Sequence, residues 1–285
     1  MQSVTFQGKS LTLVGRKIHV GDIAPNFRVV THDLQQKSLI DFEGKIKVLT
    51  SFPSLDTSVC DLQVKEFNKR AEKFSQEVVM LAISKDLPFA QARFCAHFAI
   101  KNLYVLSDYK TSSFGINYGL LIKELNLLAR SVILLDKSDQ VRYIQIVDEL
   151  SHSPNYEEVI KNLAEVVQNP IASEKPREIG HCLPCEGKEA ALSKEKIQEA
   201  LAQVKGWQLV EEKKIIKEFL FESYGDAKYF LDLIALIAEE QSHHPTLTLT
   251  YRKLKVVLTT HAAAGVTKND FIMAKIIDSL QNKEV

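Results

Sequence analysis

Apolar residues in the first 169 positions alternate between short β-rich runs and longer stretches at helical spacing. "KIKVLTSF" and "EVVMLAIS" are continuous apolar runs, the form taken by a strand buried on both faces. "SVILLD" and, more weakly, "VRYIQIV" read the same way. Between them, "DLQVKEFNKRAEKF" and "PFAQARFCAHFAI" place their apolar residues on one helix face, and "NYEEVIKNLAEVVQN" predicts an amphipathic helix stopped at Asn169-Pro170. The opening "VTFQGKSLTLV" predicts a hairpin turning near Gly8. Alternation of this kind predicts an α/β fold, a sheet flanked by helices.

The segment "PIASEKPREIGHCLPCEGKEAA" has no period and is interspersed with proline, glycine and charge, so it is read as a linker. The expected organisation is a first domain over 1–169, a linker over 170–186 and a second domain over 187–285. The second domain has a different pattern. "SKEKIQEALAQVKG" predicts a helix with Ser193 as N-cap and Gly206 past its end. Strands follow around Trp207–Val210 and Ile215–Phe221. "YGDAKYFLDLIALIAEE" predicts a long helix ended by Pro245, "TLTLTY" and "KLKVVLTT" a strand pair, and "TKNDFIMAKIIDSLQ" a last helix. The order predicts a small α+β domain.

Composition narrows the class. Of 285 residues, 45% are hydrophobic and 25% charged, as in an ordinary globular protein. Lys+Arg and Asp+Glu balance at 36 each, which gives no reason to expect nucleic acid or an anionic membrane as partner. No run approaches the roughly 18 apolar residues of a membrane span, and "MQSVTFQGKSLTLVG" lacks the features of a signal peptide. A cytoplasmic protein is expected, where cysteines are reduced, catalytic or metal-bound. There are four: Cys60, Cys95, Cys182 and Cys185.

Cys60 falls in the predicted first turn of a helix, where unpaired backbone N–H groups and the dipole favour an anion. Thr57 is three residues earlier, so its hydroxyl can face the sulfur across one turn. Packing alone is the competing reading, since free cysteine is among the most buried residue types. Pro53, Thr57 and Cys60 form P-x-x-x-T-x-x-C, which resembles the active-site motif of the peroxiredoxins. "GDIAPNF", "DLPFAQARFC" around Cys95 and "LLARSVILLD" holding Arg130 extend the resemblance to the thiol peroxidase branch over about residues 1–168.

The resemblance implies a thioredoxin-like fold and definite roles. Cys60 would be the peroxidatic cysteine, oxidised by hydroperoxide to sulfenic acid. Thr57 would bond the sulfur and peroxide, Arg130 would stabilise the thiolate, and Pro53 would shield the site. Cys95 would be the resolving cysteine, closing a disulfide that an external thioredoxin-like reductant reopens. Read without the family, Cys95 is equally an apolar-face residue of "FAQARFCAHFAI". A peroxide sensor passing oxidation to a partner is the rival reading.

The second domain carries three histidines. His243 and His244 are adjacent and diverge, unlike the H-E-x-x-H arrangement, so no metal is expected. On spacing alone, His243-His244-Pro245 closes a helix, and Thr267-x-x-Asp270 is a capping box. The whole series E-x3-H-H-P-x5-Y-x9-H-x8-D, from Glu239 through Tyr251 and His261 to Asp270, resembles the signature of pterin-4a-carbinolamine dehydratase. "LSKEKIQEALAQVKGW" resembles that family's opening, and the likeness spans about residues 187–285. It implies an antiparallel-sheet α+β fold that dehydrates 4a-hydroxytetrahydropterin to quinonoid dihydropterin. His243, His244 and His261 would be the acid/base set, with Asp270 and Glu239 orienting at the substrate. "THAAAG" departs from some relatives after His261. The family also implies a homo-oligomer, a dimer or higher, and pterin enters as substrate with no tightly bound cofactor. The rival is an oligomerisation or binding module without activity.

"GHCLPCEG" sets Cys182 and Cys185 in a C-x-x-C. One pair is half a zinc site, so an inherited local feature, a metal ligand pair and a redox relay all remain open.

Overall fold

A computed structural model describes residues 2–72, 74, 76–172, 182 and 190–280. The chain divides into two compact units, Met1–Ile179 and Gly180–Val285. Among the described residues no helix is long and apolar enough to cross a membrane.

The first unit opens with β1 (Ser3–Phe6) and β2 (Lys9–Val14), joined through Gln7 and Gly8, both at positive φ as a two-residue hairpin requires. Next come β3 (Arg28–Val30), β4 (Gln36–Ser38), β5 (Ile46–Ser51), α1 (Ser58–Ala71), β6 (Val78–Ser84), α2 (Pro88–His97) and β7 (Tyr104–Ser107). The unit continues through the short α3 (Ser113–Asn117), β8 (Leu121–Ile122), β9 (Leu127–Leu128), β10 (Ser131–Leu135), β11 (Val141–Ile146) and α4 (Tyr156–Gln168). The main sheet has the order β11-β10-β5-β6-β7-β3-β4, with β5, β6 and β7 parallel and the other pairings antiparallel. Strands β1, β2, β8 and β9 form a separate antiparallel sheet.

The apolar runs are continuous because β5 and β10 are buried at every position. Ile46, Val48, Met80, Val132 and Leu134 meet Phe67 of α1 and Val159, Leu163 and Val166 of α4 on one face. Leu49, Leu81, Ile83 and Ile133 face the other way, towards Phe27, Phe114, Leu11 and Leu13. In α1 the buried residues are Cys60, Gln63, Val64 and Phe67, an i, i+3, i+4, i+7 stripe. That stripe turns Cys60 inward.

The second unit comprises α5 (Lys194–Leu201), β12 (Gln208–Val210), β13 (Lys214–Leu220), α6 (Tyr224–Gln241), β14 (Thr246–Thr250), β15 (Lys253–Leu258) and α7 (Lys268–Leu280). Its sheet is antiparallel throughout, in the order β12-β13-β15-β14. Phe219 of β13 meets Phe230 of α6 at 5.0 Å between ring centroids, which seats the helix on the sheet.

Two helix ends differ from expectation. Helix α5 stops at Leu201, short of Gly206, because Gln203 and Val204 donate to carbonyls three residues back and tighten the chain out of the α form. Helix α6 stops at Gln241 because Ser242 adopts a left-handed conformation (φ 48°); Pro245 only precedes the next strand. The strands β3, β4, β7, β8 and β9 have no counterpart among the sequence expectations. Each is four residues or fewer, too short for a period to register.

Candidate active sites

Helix α1 begins at Ser58 with Thr57 as N-cap, so Cys60 is its third residue. Thr57 departs from the usual cap: its side chain accepts no helix amide, and its Oγ1 lies 2.7 Å from Cys60 Sγ. Among the described residues, no backbone N–H donates to the sulfur. The amide of Cys60 is taken by the Thr57 carbonyl at 3.1 Å, and the sulfur's partners are the Thr57 hydroxyl and Arg130. Arg130, immediately before β10, places Nη2 3.3 Å from Cys60 Sγ. Cys60 is fully buried and Arg130 only 1% exposed.

The rest of the Arg130 guanidinium is held by uncharged oxygens. Nε and Nη2 donate to the Leu150 carbonyl at 3.2 and 2.8 Å, and Nη1 donates to Gln63 Oε1. No carboxylate among the described residues lies within ion-pair distance of it. A buried cation without a paired anion is unfavourable, and the sulfur is the neighbouring atom able to carry the opposite charge.

The scaffold around this pair is fixed from two sides. Leu150 is set by its amide bond to Thr5 O, and the adjacent Glu149 carboxylate accepts from Ser151, Thr5, Gln7 and Gly8. The Ser151 hydroxyl leads in holding the Glu149 carboxyl down at about 2. On the other side, Asp86 accepts from the Ser54 hydroxyl at 2.6 Å and the Leu55 amide at 2.8 Å. Those bonds pin the loop in which Pro53 is half-buried and Thr57 closes back on Ser54 O.

Cys95, on α2, packs against the same apolar cluster as Cys60, with Phe52, Val64, Ala82 and Val105. Both thiols are free. Cys95 is half-buried, lines a cleft of about 580 Å³ with Lys37, Ile100 and Leu103, and burial pushes its thiol above the usual range.

In the second unit, the end of α6, the end of β15 and the start of α7 converge on Asp270. Its Oδ1 meets His243 Nε2 at 2.8 Å; its Oδ2 accepts from the Thr267 amide at 2.8 Å and the Thr260 hydroxyl at 2.9 Å. His243 is buried and Asp270 completely so. One oxygen of Asp270 thus makes the capping contact and the other the contact with His243. A carboxylate filled by donors accepts the Nε2 proton, which leaves Nδ1 of His243 as the ring nitrogen that Asp270 does not engage. His244 and Glu239 are both exposed and pair at 2.9 Å. His261 follows Thr260 and is exposed on a short 3₁₀ turn. Tyr251 stands at the tip of the β14–β15 hairpin, 72% exposed, rather than among these groups.

Cys182 is buried in this unit: its amide donates to Gln241 Oε1 at 2.9 Å and its thiol to the Asn269 carbonyl at 3.5 Å. Cys185 lies outside the described residues. Sequence reasoning missed Gln63, Asp86, Thr260 and the Leu150 carbonyl. Gln63 had a signal, a polar residue inside the apolar stripe of α1; a backbone carbonyl has none.

Residues 19–160 match the family model described as Redoxin, and residues 190–280 match that of pterin 4 alpha carbinolamine dehydratase. The thiol peroxidase of Bacillus subtilis is 46% identical over 168 residues, 59% of this chain and all of that one. The structure of a peroxiredoxin-like protein from Aquifex aeolicus is 40% identical, with a TM-score of 0.55 over 58% of this chain and 98% of that one. A Brucella melitensis structure, described as a transcriptional coactivator/pterin dehydratase, is 34% identical over 32% of this chain and 97% of that one, with a TM-score of 0.31.

Proposed function

The chain belongs, through its first unit, to the thiol peroxidase family, and its second unit is a pterin carbinolamine dehydratase domain; from that premise we propose which residues perform the two reactions. The fusion joins a peroxidase to a dehydratase. The peroxidase unit has the thioredoxin-like peroxiredoxin fold, and the dehydratase unit has an antiparallel sheet with helices.

In the first unit the Cys60 thiolate attacks the terminal oxygen of a hydroperoxide. The O–O bond breaks, Cys60 becomes a sulfenic acid and the alkoxide leaves, taking a proton to become the alcohol. Arg130 favours the anionic sulfur and Thr57 donates to it; Pro53 stiffens the loop between them and β5. The Cys95 thiolate then attacks the oxidised sulfur, hydroxide leaves as water with one proton, and a Cys60–Cys95 disulfide forms. An external dithiol of the thioredoxin kind reduces it by exchange, and a cytoplasmic setting supplies such reductants. The observation that carries this reading is the buried Cys60 sulfur between the Thr57 hydroxyl and Arg130. The test is disulfide mapping after one equivalent of peroxide with immediate thiol trapping. A Cys60–Cys95 bond supports the reading, and an unoxidised Cys60 sinks it.

In the second unit the substrate is a 4a-hydroxytetrahydropterin, which loses water to give the quinonoid dihydropterin. The Asp270 carboxylate fixes the His243 tautomer and aims Nδ1 at the pterin as a proton acceptor. His244, braced by Glu239, and His261 supply the exposed imidazoles that protonate the departing hydroxyl. No tightly bound cofactor is invoked. Assembly as a dimer or higher oligomer is part of the same proposal, supported by the dehydratase resemblance, and sizing of the full chain tests it. Failure of the purified chain to accelerate carbinolamine dehydration would leave the second unit as a binding module.

A further inference from the structure

We propose that the cleft beside Cys95 seats a small zwitterionic thiol of the peptide kind, which reduces the Cys60–Cys95 disulfide through a mixed disulfide on Cys95. The proposal rests on the peroxidase reading of the two cysteines and adds a reductant class with its site. The cleft exists because β3 meets β7 only at Val30 and Ser107. Beyond that pair the chain turns back at Thr31, whose amide donates to Gln35 O at 2.9 Å. Residues 104–106 of β7 are left with no strand partner on that side among the described residues. The volume of about 580 Å³ falls within the roughly 300–1,000 Å³ of small-ligand pockets. Ile100 and Leu103 give the cleft an apolar wall, backed by the cluster that also holds Cys60. Lys101 on its lining is exposed, and among the described residues no carboxylate pairs with it. The loop beneath is pinned, since the amides of Lys101 and Asn102 donate to Asn68 Oδ1 at 3.0 and 2.9 Å. Lys37 is half-buried and shares its charge with Asp41 at 3.1 Å. Asp33 comes from the same hairpin as Lys37, and the Thr31 hydroxyl leads in holding its carboxyl below the usual range. A peptide thiol brings carboxylates for the lysines, an ammonium for Asp33 and a short sulfur arm for Cys95. A neutral alkyl thiol matches the wall alone.

The leaving group decides which sulfur is attacked, because the thiol of lower pKa departs more readily. Arg130 favours an anionic Cys60, whereas burial pushes the Cys95 thiol up. The incoming thiolate therefore attacks Cys95 Sγ. The S–S bond breaks, its electron pair leaves on Cys60 as thiolate, and the small thiol is joined to Cys95. Cys60 then returns to its seat between Thr57 and Arg130. The reduced arrangement is thus also that of the adduct, with its small half lying in the cleft. A second small thiol attacks the sulfur of that half and releases Cys95, which takes the second thiol's proton. The two small thiols depart as their own disulfide. Cys95 is the poorer leaving group, so the second exchange is the slower one and the adduct accumulates.

The experiment oxidises the full chain with one equivalent of hydrogen peroxide and follows reduction of the disulfide at low salt by two probes. One is glutathione; the other is its diethyl ester, which keeps the sulfur arm and lacks the carboxylates. At equal thiolate concentration glutathione is expected to act about fivefold faster, the effect of two exposed ion pairs, with a rate that saturates. Mass spectrometry after acid quenching is expected to find glutathione on Cys95 and none on Cys60. Lys101→Glu is expected to bring the ratio of the two rates to about one or below, with melting curves to verify folding. Equal rates for the two probes, an adduct on Cys60, or a ratio unchanged in Lys101→Glu each overturn the proposal. If Lys101→Glu does not fold, the two probes on the unsubstituted chain decide. A chain whose Cys60 and Cys95 stay unlinked after peroxide would sink the peroxidase reading itself and the cleft's role with it. A disulfide that forms and then shows no preference between the probes sinks only the role of the cleft.

Discussion

His243 and Asp270 share a buried hydrogen bond of 2.8 Å, while the second oxygen of the same carboxylate caps the helix that carries it. One side chain thus serves the site and the fold, and two substitutions separate the duties. Asp270→Asn can keep its oxygen on the Thr267 amide and turn its NH₂ towards His243, which forces the proton onto Nδ1 and inverts the tautomer. The variant is expected to fold and to dehydrate pterin at least about a hundredfold more slowly. Asp270→Ala is expected to lose activity equally and about 1 kcal/mol of stability as well, because the cap goes too. Dehydration kinetics beside thermal melts distinguish the two.

Arg130 gives the sharpest prediction in the first unit. Arg130→Met removes the charge beside Cys60 and is expected to slow the reaction with peroxide by about a hundredfold or more in stopped-flow measurements. Arg130→Lys keeps a charge, yet an ammonium cannot reach Leu150 O, Gln63 and the sulfur as a planar fork does. It is expected to recover only part of the rate. Thr57→Ser should stay close to the parent, and Thr57→Val should not.

Cys95 and Cys60 should respond differently to an alkylating probe. Burial holds the Cys95 thiol above the usual range, so the protonated form dominates at neutral pH and its labelling should rise only on the alkaline side. Peptide mapping after brief alkylation across pH tests this. In Cys95→Ser the first oxidation of Cys60 should proceed at the parental rate, leaving a sulfenic acid that a nucleophilic probe traps, while turnover with a dithiol reductant fails.

Glu149 ties the hairpin of β1 and β2 to the loop that presents Leu150 O to Arg130. Its folded carboxyl is held at about 2, below the roughly 4.3 of an unfolded chain. A depressed acid stabilises the fold above the unfolded value, and the contribution is lost as pH falls towards the folded one. Melting temperatures of the parent and Glu149→Gln should therefore differ near neutrality and converge between about pH 4 and 2. A difference that persisted at pH 2 would contradict this account.

Much of both sites was legible in the sequence, for different reasons. The apolar stripe of α1 and the strand runs announce buried faces, and Thr57 and Cys60 lie one helical turn apart, whereas the roles of Arg130 and His243 were legible through the family resemblance and not through spacing. The Thr267–Asp270 cap was visible as a local motif, and it is also what places Asp270 beside His243. What stayed hidden was long-range or carried by the backbone. Leu150 O reaches Arg130 only because Thr5 and Glu149 fix its loop, across more than 140 positions of chain. The five short strands lack the length for a period to show. Helix α6 ends at a left-handed serine, a conformation that sequence assigns first to glycine.

The oxygens around Arg130 carry no full charge, so the electrical balance of that interior depends on the oxidation state of one atom. A sulfur ionised as thiolate makes the burial of the guanidinium self-consistent. On the proposed chemistry, a sulfenic acid or a disulfide would leave the buried guanidinium without a neighbouring anion, and opening of the first turn of α1 would relieve that cost. Amide hydrogen exchange at Ser58–Cys60 should accordingly be faster in the oxidised chain than in the reduced one. On that chemistry, oxidation by peroxide would withdraw the countercharge beside Arg130 and loosen the enclosure of Cys60 at the stage when its sulfur has to meet Cys95.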